Sequence, residues 1–235
     1  GTNTVSVAEA GSIKTTGDYA QGIYNHGDTN ETTFSGSIKT TGYDADGIYI
    51  RGDTNETTVS GSIKTTGDYA QGIVVVGDNN ETTVSGSITT TGDNADGIHN
   101  YGDSITTTIS GSVKATGAKS AALFIADGHR SSFTLDEGAT IIGDILSFTD
   151  ADTTNSKLIF NLGASTSYAY SVSGAGEGTG EGQWTFSDLD GRTQGVTTDG
   201  TGCDTTKITI TVCNLVTGVS TGNLEAQDEL QFSMN

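Results

Sequence analysis

Four aspartates, each directly after a glycine, recur at one position of a repeated segment whose regular copies read Gly-Asp-Thr/Asn-Asn-Glu. They are Asp28, Asp53, Asp78 and Asp103, each one full repeat from the next. Stacked carboxylates repel one another unless they are splayed, screened or bridged by Ca²⁺, a cation that binds oxygen ligands. The column therefore indicates either calcium between the repeats or ordinary Gly-Asp turns in solvent. The turn is favoured because the calcium-binding nonapeptide repeat is absent, and we expect no other cofactor.

Acidic residues outside the repeats are the candidates for catalysis. A polysaccharide-degrading parallel β-helix enzyme, the less favoured alternative, needs one pair of carboxyl groups roughly 5 to 9.5 Å apart. Nearly every acid between Gly1 and Ser110 belongs to a repeated column, whereas a catalytic pair is needed once. The unrepeated candidates are Asp127 with His129, and Asp188, Asp190 and Arg192, which suit a turn between strands. We therefore predict that the protein is not an enzyme.

Cys203 and Cys213 are the only cysteines, and they lie ten residues apart. Neither has a neighbouring histidine or a Cys-x-x-Cys partner, so metal or thiol chemistry is disfavoured. An even count in an apparently secreted chain predicts a local disulfide, with two unpaired thiols as the alternative.

A repeat of about 25 residues positions the aspartate column. The segment Ser-Gly-Ser-Ile-Lys-Thr-Thr-Gly at 35–42 returns in closely similar form at Ser60, Ser85 and Ser110. Repeats of this length are too small to bury their own apolar face, so each must stack on its neighbours. This pattern predicts a solenoid.

Composition indicates which kind of solenoid. The 235 residues include 34 glycines and no proline, while threonine, serine, valine and isoleucine are abundant. Short apolar alternations separated by glycine predict three strands per repeat, and a chain without proline leaves every strand N–H free to pair. We therefore predict an all-β parallel β-solenoid with three-strand coils at 1–145, followed by an irregular β-rich portion at 146–235 that completes or caps it.

Alternation along the strands assigns an inner and an outer face. The inward columns are predicted to be Ile38, Ile63 and Ile88; Thr40, Thr65 and Thr90; Ala45, Ala70 and Ala95; Ile48, Ile73, Ile98 and Leu123; and Val59, Val84 and Ile109. In the first coil, Val7 and Ile13 are predicted to take the places of Phe34 and Ile38, with two extra residues at the corner.

One outer strip varies between repeats while its inward neighbours stay constant. Its first column is Tyr24, Tyr49, Val74, His99 and Phe124, and its second is His26, Arg51, Val76, Tyr101 and Ala126. A variable, aromatic-rich strip over a constant core indicates a contact face. Relaxed drift of surface residues with high strand propensity explains it equally well.

A ladder of outward hydroxyl groups provides an alternative binding surface. It consists of Thr33 with Ser35, Thr58 with Ser60, Thr83 with Ser85, and Thr108 with Ser110. Its spacing, about 4.8 Å along the axis and nearly 7 Å across the strand, suits ice or an ordered glycan. Glu31, Glu56 and Glu81 flank the ladder, and hydroxyl side chains are also common on exposed sheets.

The net charge of −19 disfavours nucleic acid and anionic membranes as partners. No apolar run reaches the roughly 18 residues of a transmembrane helix, so we expect no membrane insertion of this segment. A chain that begins at Gly1, without a signal peptide, is expected to be a processed form. Two such acidic chains repel each other, so lateral association is expected to be promoted by salt, low pH or divalent cations.

The repeats, the closing segment GATIIGDI at 138–145 and KLIFNLGASTSYAYSVSGAGEG at 157–178 resemble passenger regions of bacterial autotransporters. The likeness extends from the start of the chain to the glycine-rich link GAGEGTGEG at 174–182. The resemblance implies a right-handed parallel β-helix, secretion to a Gram-negative cell surface, and an adhesive or self-associating role. Its motifs are structural, so no functional residue carries over. The sequence departs from the family in that no outer-membrane barrel is predicted in these residues and the passenger is short, so we expect either that the barrel has been removed or that the chain is a free solenoid sharing only the repeat.

The first coil has no predicted cap, and its unpaired strand edges favour pairing with further coils or with another subunit. Head-to-tail stacking of this kind does not close and would build a filament. The sequence thus predicts a structural or adhesive protein, extracellular or on the bacterial surface, whose partner is itself or a host or neighbouring-cell surface.

Overall fold

The structure is a computed structural model that describes residues 3–126, 129–136 and 138–147 and the backbones of five later strands. The strands of the first part are β1 (Thr4–Val7), β2 (Ser12–Thr15), β3 (Ile23–His26), β4 (Glu31–Phe34), β5 (Ser37–Thr40), β6 (Ile48–Arg51), β7 (Glu56–Val59), β8 (Ser62–Thr65), β9 (Ile73–Val76), β10 (Glu81–Val84), β11 (Ser87–Thr90), β12 (Ile98–Tyr101), β13 (Ile105–Ile109), β14 (Ser112–Ala115), β15 (Ala121–Ile125), β16 (Ser131–Asp136), β17 (Thr140–Ile142) and β18 (Asp144–Ser147). The later strands are β19 (Lys157–Asn161), β20 (Ser171–Ser173), β21 (Trp184–Asp188), β22 (Thr209–Thr211) and β23 (Glu229–Met234). Within this described part of the chain, no helix has the length and apolar character needed to cross a membrane.

Strands β1 to β18 form six coils of three strands, and each coil adds one strand to each of three parallel sheets. Sheet A runs β1-β4-β7-β10-β13-β16 and continues into β19, sheet B runs from β2 to β17, and sheet C runs from β3 to β18. Like residues pair one repeat apart, as Ile38 with Ile63 and Ile63 with Ile88 show. The prediction of a parallel β-solenoid whose coils match the length of the sequence repeat is confirmed.

The first coil also follows the predicted alignment. Val7 pairs with Phe34, and Ile13 pairs with Ile38. The partners in the first pair are two positions further apart in the sequence than those in the second, so the two extra residues lie at the corner between β1 and β2. Beyond β19, sheet A is no longer parallel. Strand β19 pairs with β23, and β23 pairs with β21, both in the antiparallel direction.

The core lies between the three sheets. Alternation places every second side chain inward, and β5 and β8 both show exposed and buried residues in turn. All the predicted inward columns are buried, from the isoleucines of sheets B and C to the threonines that end β5, β8 and β11. The apolar columns merge into one continuous cluster along the solenoid. This core fixes which side chains each outer face presents.

The corners that follow sheet C continue the pairing between coils through side-chain amides. The backbone N–H of Asn30 donates to Oδ1 of Asn55 at 2.8 Å, and that of Asn55 donates to Oδ1 of Asn80 at 2.7 Å. All three asparagines are buried, so these bonds satisfy N–H groups that water does not reach. In the next coil Ile105 takes this place, and the asparagine ladder ends there.

The same corners hold one residue per coil in the left-handed backbone region. Thr29, Thr54, Asn79 and Ser104 have φ between 56° and 59°. This conformation suits asparagine, whereas a β-branched residue adopts it only with strain. The corners at Thr54 and Asn79 therefore differ in backbone strain, although the φ angles of the two residues are nearly the same.

We expect Thr54→Asn to stabilise the protein by about 0.5 to 1 kcal/mol, because Asn79 already occupies the equivalent position with φ 56°. The reverse change, Asn79→Thr, should destabilise it by a similar amount. Chemical denaturation of both variants measures the two shifts. Shifts of the same sign would contradict an origin in backbone strain.

Candidate interaction surface

The outer face of sheet C carries the first column of the variable strip in continuous register. Tyr24 pairs with Tyr49, Tyr49 with Val74, Val74 with His99, and His99 with Phe124. The ring centroids of Tyr24 and Tyr49 are 5.5 Å apart, and those of His99 and Phe124 are 4.4 Å apart. Val74 lies between the two ring pairs and is only 8% exposed. The structure therefore brings these side chains together as one surface.

The second column follows the prediction as far as Tyr101. His26 pairs with Arg51, Arg51 with Val76, and Val76 with Tyr101. Ala126 does not extend this column, because it is buried at 4% exposure. The ring of His129 lies beside that of Tyr101 instead, with centroids 4.8 Å apart. The two columns together are called the aromatic strip below.

A groove of about 260 Å³ opens on this face in the second to fourth coils. Val74 and Val76 lie in it together with the rings of Tyr49 and Tyr101, and Asp46 lines the same groove. Apolar side chains, rings and a carboxyl group within one open groove suit the binding of a partner's side chain. In the described residues no group of three or more histidine, cysteine or acidic side chains converges as a metal site.

Asp46 is a buried carboxyl group at the edge of this groove, and it is 2% exposed. Burial raises the pKa of Asp46 to about 7, and the nearby charge of Asp44 adds to the rise, whereas bonds from the Gln71 backbone and the Gln21 side chain lower it. The Gln71 N–H donates to Oδ1 of Asp46 at 2.8 Å. Near neutral pH this carboxyl group therefore changes its charge.

Other ionisable side chains beside the groove interact with one another. Nδ1 of His99 lies 3.1 Å from Oδ2 of Asp96. Partial burial raises the pKa of Tyr49, Arg51 lowers it, and Asp46 and Tyr24 raise it further. The strip and the carboxyl groups next to it therefore form one electrostatically coupled surface.

Three exposed tyrosines that the sequence analysis missed lie at the turns between sheet B and sheet C, called the B–C corner. Tyr19, Tyr43 and Tyr69 are 63%, 44% and 45% exposed. The ring centroid of Tyr43 lies 5.8 Å from that of Tyr19 and 5.4 Å from that of Tyr69. The recurrence of Tyr19 and Tyr69 was a visible signal. Tyr43 stands one position out of the repeat, so alignment alone does not place it between them.

The aspartate column at the corners between sheets C and A has a structural function. The N–H of Asp53 donates to Oδ1 of Asp28, that of Asp78 to Asp53, and that of Asp103 to Asp78, each at 2.8 Å. Arg130 continues the series by donating its N–H to Asp103 at 2.9 Å. One oxygen of each carboxylate thus replaces a backbone carbonyl in the pairing between coils, and the choice between turn and calcium stays a prediction.

The hydroxyl ladder lies in register on the outer face of sheet A. Thr33 pairs with Thr58, Thr58 with Thr83, and Thr83 with Thr108. Glu31, Glu56 and Glu81 form a parallel column two residues away. The hydroxyl of Ser60 donates to that of Ser35 at 2.9 Å. The structure brings the ladder together, although charged side chains border it. Ser85 and Ser110 follow β10 and β13 at the equivalent turns.

Among the remaining candidate residues, the structure does not bring the described ones together as a site. Nδ1 of His129 lies 3.6 Å from Oδ1 of Asp103, a member of the repeated aspartate column. Asp188 ends strand β21. Asp127, Asp190, Arg192, Cys203 and Cys213 lie outside the described residues, so the disulfide stays a prediction.

Comparison with known proteins finds no matching family model, no similar curated protein and no similar solved structure.

Proposed function

We propose that the chain is a non-enzymatic structural and adhesive protein of a bacterial exterior that associates with itself or with a neighbouring cell surface through the aromatic strip. The observation that carries the proposal is the in-register aromatic strip on the outer face of sheet C, where Tyr24 and Tyr101 are each 52% exposed. Exposed clusters of aromatic side chains mark interaction sites more often than isolated surface residues do.

The extracellular location rests on the repeat motifs that resemble autotransporter passengers. Self-association is the simplest form of the proposal, because parallel solenoids present the same strip at the same spacing. The second proposed partner is the surface of a neighbouring cell.

Side-by-side contact is better supported than growth from the ends of the solenoid. Strands β1, β2 and β3 lie at one edge of their sheets. At the other end, sheet A continues into the antiparallel strands β23 and β21. Parallel head-to-tail pairing there suits sheets B and C but not sheet A, so filament growth through the ends is the alternative form.

Replacing two strip tyrosines, Tyr24→Ser with Tyr49→Ser, should weaken association by about tenfold or more, since two large rings leave the contact. Both rings point away from the isoleucine core, so circular dichroism should be unchanged. Analytical ultracentrifugation measures the association, and cell clumping assays test the adhesive form.

The matched control is Thr33→Val with Thr58→Val, which alters another outer face and keeps strand propensity. Unchanged association in a folded tyrosine variant would rule out the strip as the contact. Loss of association in the valine variant would instead assign the contact to the hydroxyl ladder, the surface that suits ice or a glycan.

A further inference from the structure

A column of lysines stands on the outer face of sheet B. Lys14 pairs with Lys39 and Lys39 with Lys64, while Thr89 pairs with both Lys64 and Lys114. These four lysines, called the lysine ladder, are four of the ten basic residues in a chain of net charge −19. Parallel pairing places neighbouring members about 4.8 Å apart at the backbone.

The lysine ladder has no counterion within the described part of the chain. The ion pairs found there join His99 to Asp96 and His129 to Asp103, and neither involves a lysine. Lys14, Lys39 and Lys64 are exposed. Like charges on adjacent strands are unfavourable, and a negatively charged partner would remove that repulsion.

One aspartate per coil lies at the B–C corner in each of the first four coils. They are Asp18, Asp44, Asp68 and Asp93, called the acidic row, and Asp44 stands one position out of the repeat because Tyr43 takes the place equivalent to Asp18. Oδ1 of Asp18 accepts the Tyr43 N–H, and Oδ1 of Asp68 accepts the Asp93 N–H, each at 2.9 Å. The Asp93 carboxylate likewise accepts the Ala118 N–H at 2.9 Å. These bonds orient the carboxylates of Asp18, Asp68 and Asp93 along the solenoid, beside the exposed tyrosines of the same corner.

We propose that the lysine ladder of one copy docks on the acidic row and the corner tyrosines of a second copy, an inference that rests on the proposed self-association. Lys14, Lys39 and Lys64 lie in three successive coils, and the acidic row has one aspartate in each of those coils, so aligned solenoids bring ammonium and carboxylate groups together at a common spacing of about 4.8 Å. The faces of Tyr19, Tyr43 and Tyr69 add cation–π attraction for the same ammonium groups.

The matched spacing favours a second copy over an unrelated basic protein. The net charge opposes any approach of two copies, but screening limits that repulsion to about 10 Å at 0.1 M salt, whereas the ladder and the row meet at contact distance. Ladder and row are different surfaces of one chain. The contact is therefore heterologous and leaves one copy with an unused row and the other with an unused ladder.

If the ladder docks on the row, association should depend on salt in the opposite sense to that expected from the net charge alone. Raising NaCl from about 20 mM to about 0.5 M should weaken association, because the ion pairs are screened. Strengthening by NaCl over this range would overturn the docking of ladder on row.

Paired neutral variants test the two surfaces separately. Lys39→Gln with Lys64→Gln removes two charges from the ladder, and Asp44→Asn with Asp68→Asn removes two from the row. Asparagine keeps an oxygen for the Asp93 N–H, and Asn94 occupies the position equivalent to Asp44 with φ 54°. Each double variant should weaken self-association by about tenfold at low salt, as two exposed ion pairs imply.

A mixture of the two variants provides the decisive measurement. The row variant keeps its ladder and the ladder variant keeps its row, so in sedimentation the two variants should associate with each other more tightly than either associates with itself. The control, Arg130→Gln, removes one positive charge at a corner between sheets C and A, away from both the ladder and the row, and should associate like the wild type.

The outcomes separate this inference from the proposed function. A wild-type chain that stays monomeric at every salt concentration would overturn both. Association that is lost in the Tyr24→Ser and Tyr49→Ser variant but unchanged in the ladder and row variants would leave the proposed function standing and overturn the docking. A mixture that forms no pairs would also overturn it.

Discussion

Replacement of Gly92 by alanine is expected to destabilise the solenoid by about 3 kcal/mol or more. A Cβ atom at Gly92 would overlap the backbone carbonyl of Gly67 in the preceding coil, and it would lie 2.8 Å from the Asp68 nitrogen. Backbone atoms of a paired coil cannot rotate away as a side chain can. The coils would have to separate at this corner, with loss of pairing on both sides. Thermal and chemical denaturation measure the effect.

Gly17→Ala is the matched control because it occupies the same repeat position in the first coil. Its Cβ would meet only the Cβ of Ala20, at an ordinary contact distance of 3.6 Å. Neither glycine has a φ in the left-handed region, so the comparison isolates close approach from backbone conformation. Equal destabilisation by the two substitutions would contradict the proposed overlap between coils.

Asp46→Asn is expected to stabilise the protein by about 3 kcal/mol at pH 8 and to have little effect at pH 4. Burial raises the pKa of this carboxyl group from 3.8 to about 7. The folded state therefore favours the protonated form. The stability that this preference provides is complete below the unfolded pKa of 3.8 and is lost as the pH rises through about 7.

The asparagine variant removes the charged form and keeps an oxygen that accepts the Gln71 N–H. Denaturation of variant and wild type between pH 4 and pH 8 measures the difference, and other titrating groups cancel in the comparison. Asp46→Gln, which copies the residue of the next coil, provides a second neutral variant and should behave alike. A difference that is constant across the pH range would contradict the raised pKa.

Some of the features that carry the functional inferences could be predicted from the sequence, and others could not. The aromatic strip was predicted from the alternation of Tyr24 and Tyr49 with buried neighbours, because a strand side chain points to one face or the other. The tyrosines of the B–C corner were not, since Tyr43 is displaced by one position from Tyr19 and Tyr69. Corner residues also adopt left-handed backbone conformations, as Tyr19 and Asp44 do, and alternation does not apply there.

The sequence by itself determined the length of the coil, the three-sheet solenoid and its inward columns, including the placement of Val7 against Phe34. Parallel pairing of equal coils forces like residues into register, so periodicity and alternation contain that information. Only the tertiary structure decided that Asp28 and its equivalents accept N–H groups between coils, that Asp46 is buried, and that the coils approach too closely at Gly92 for a Cβ atom. These outcomes depend on side-chain directions and backbone distances at the corners, where neighbouring coils meet and no regular pattern sets the geometry.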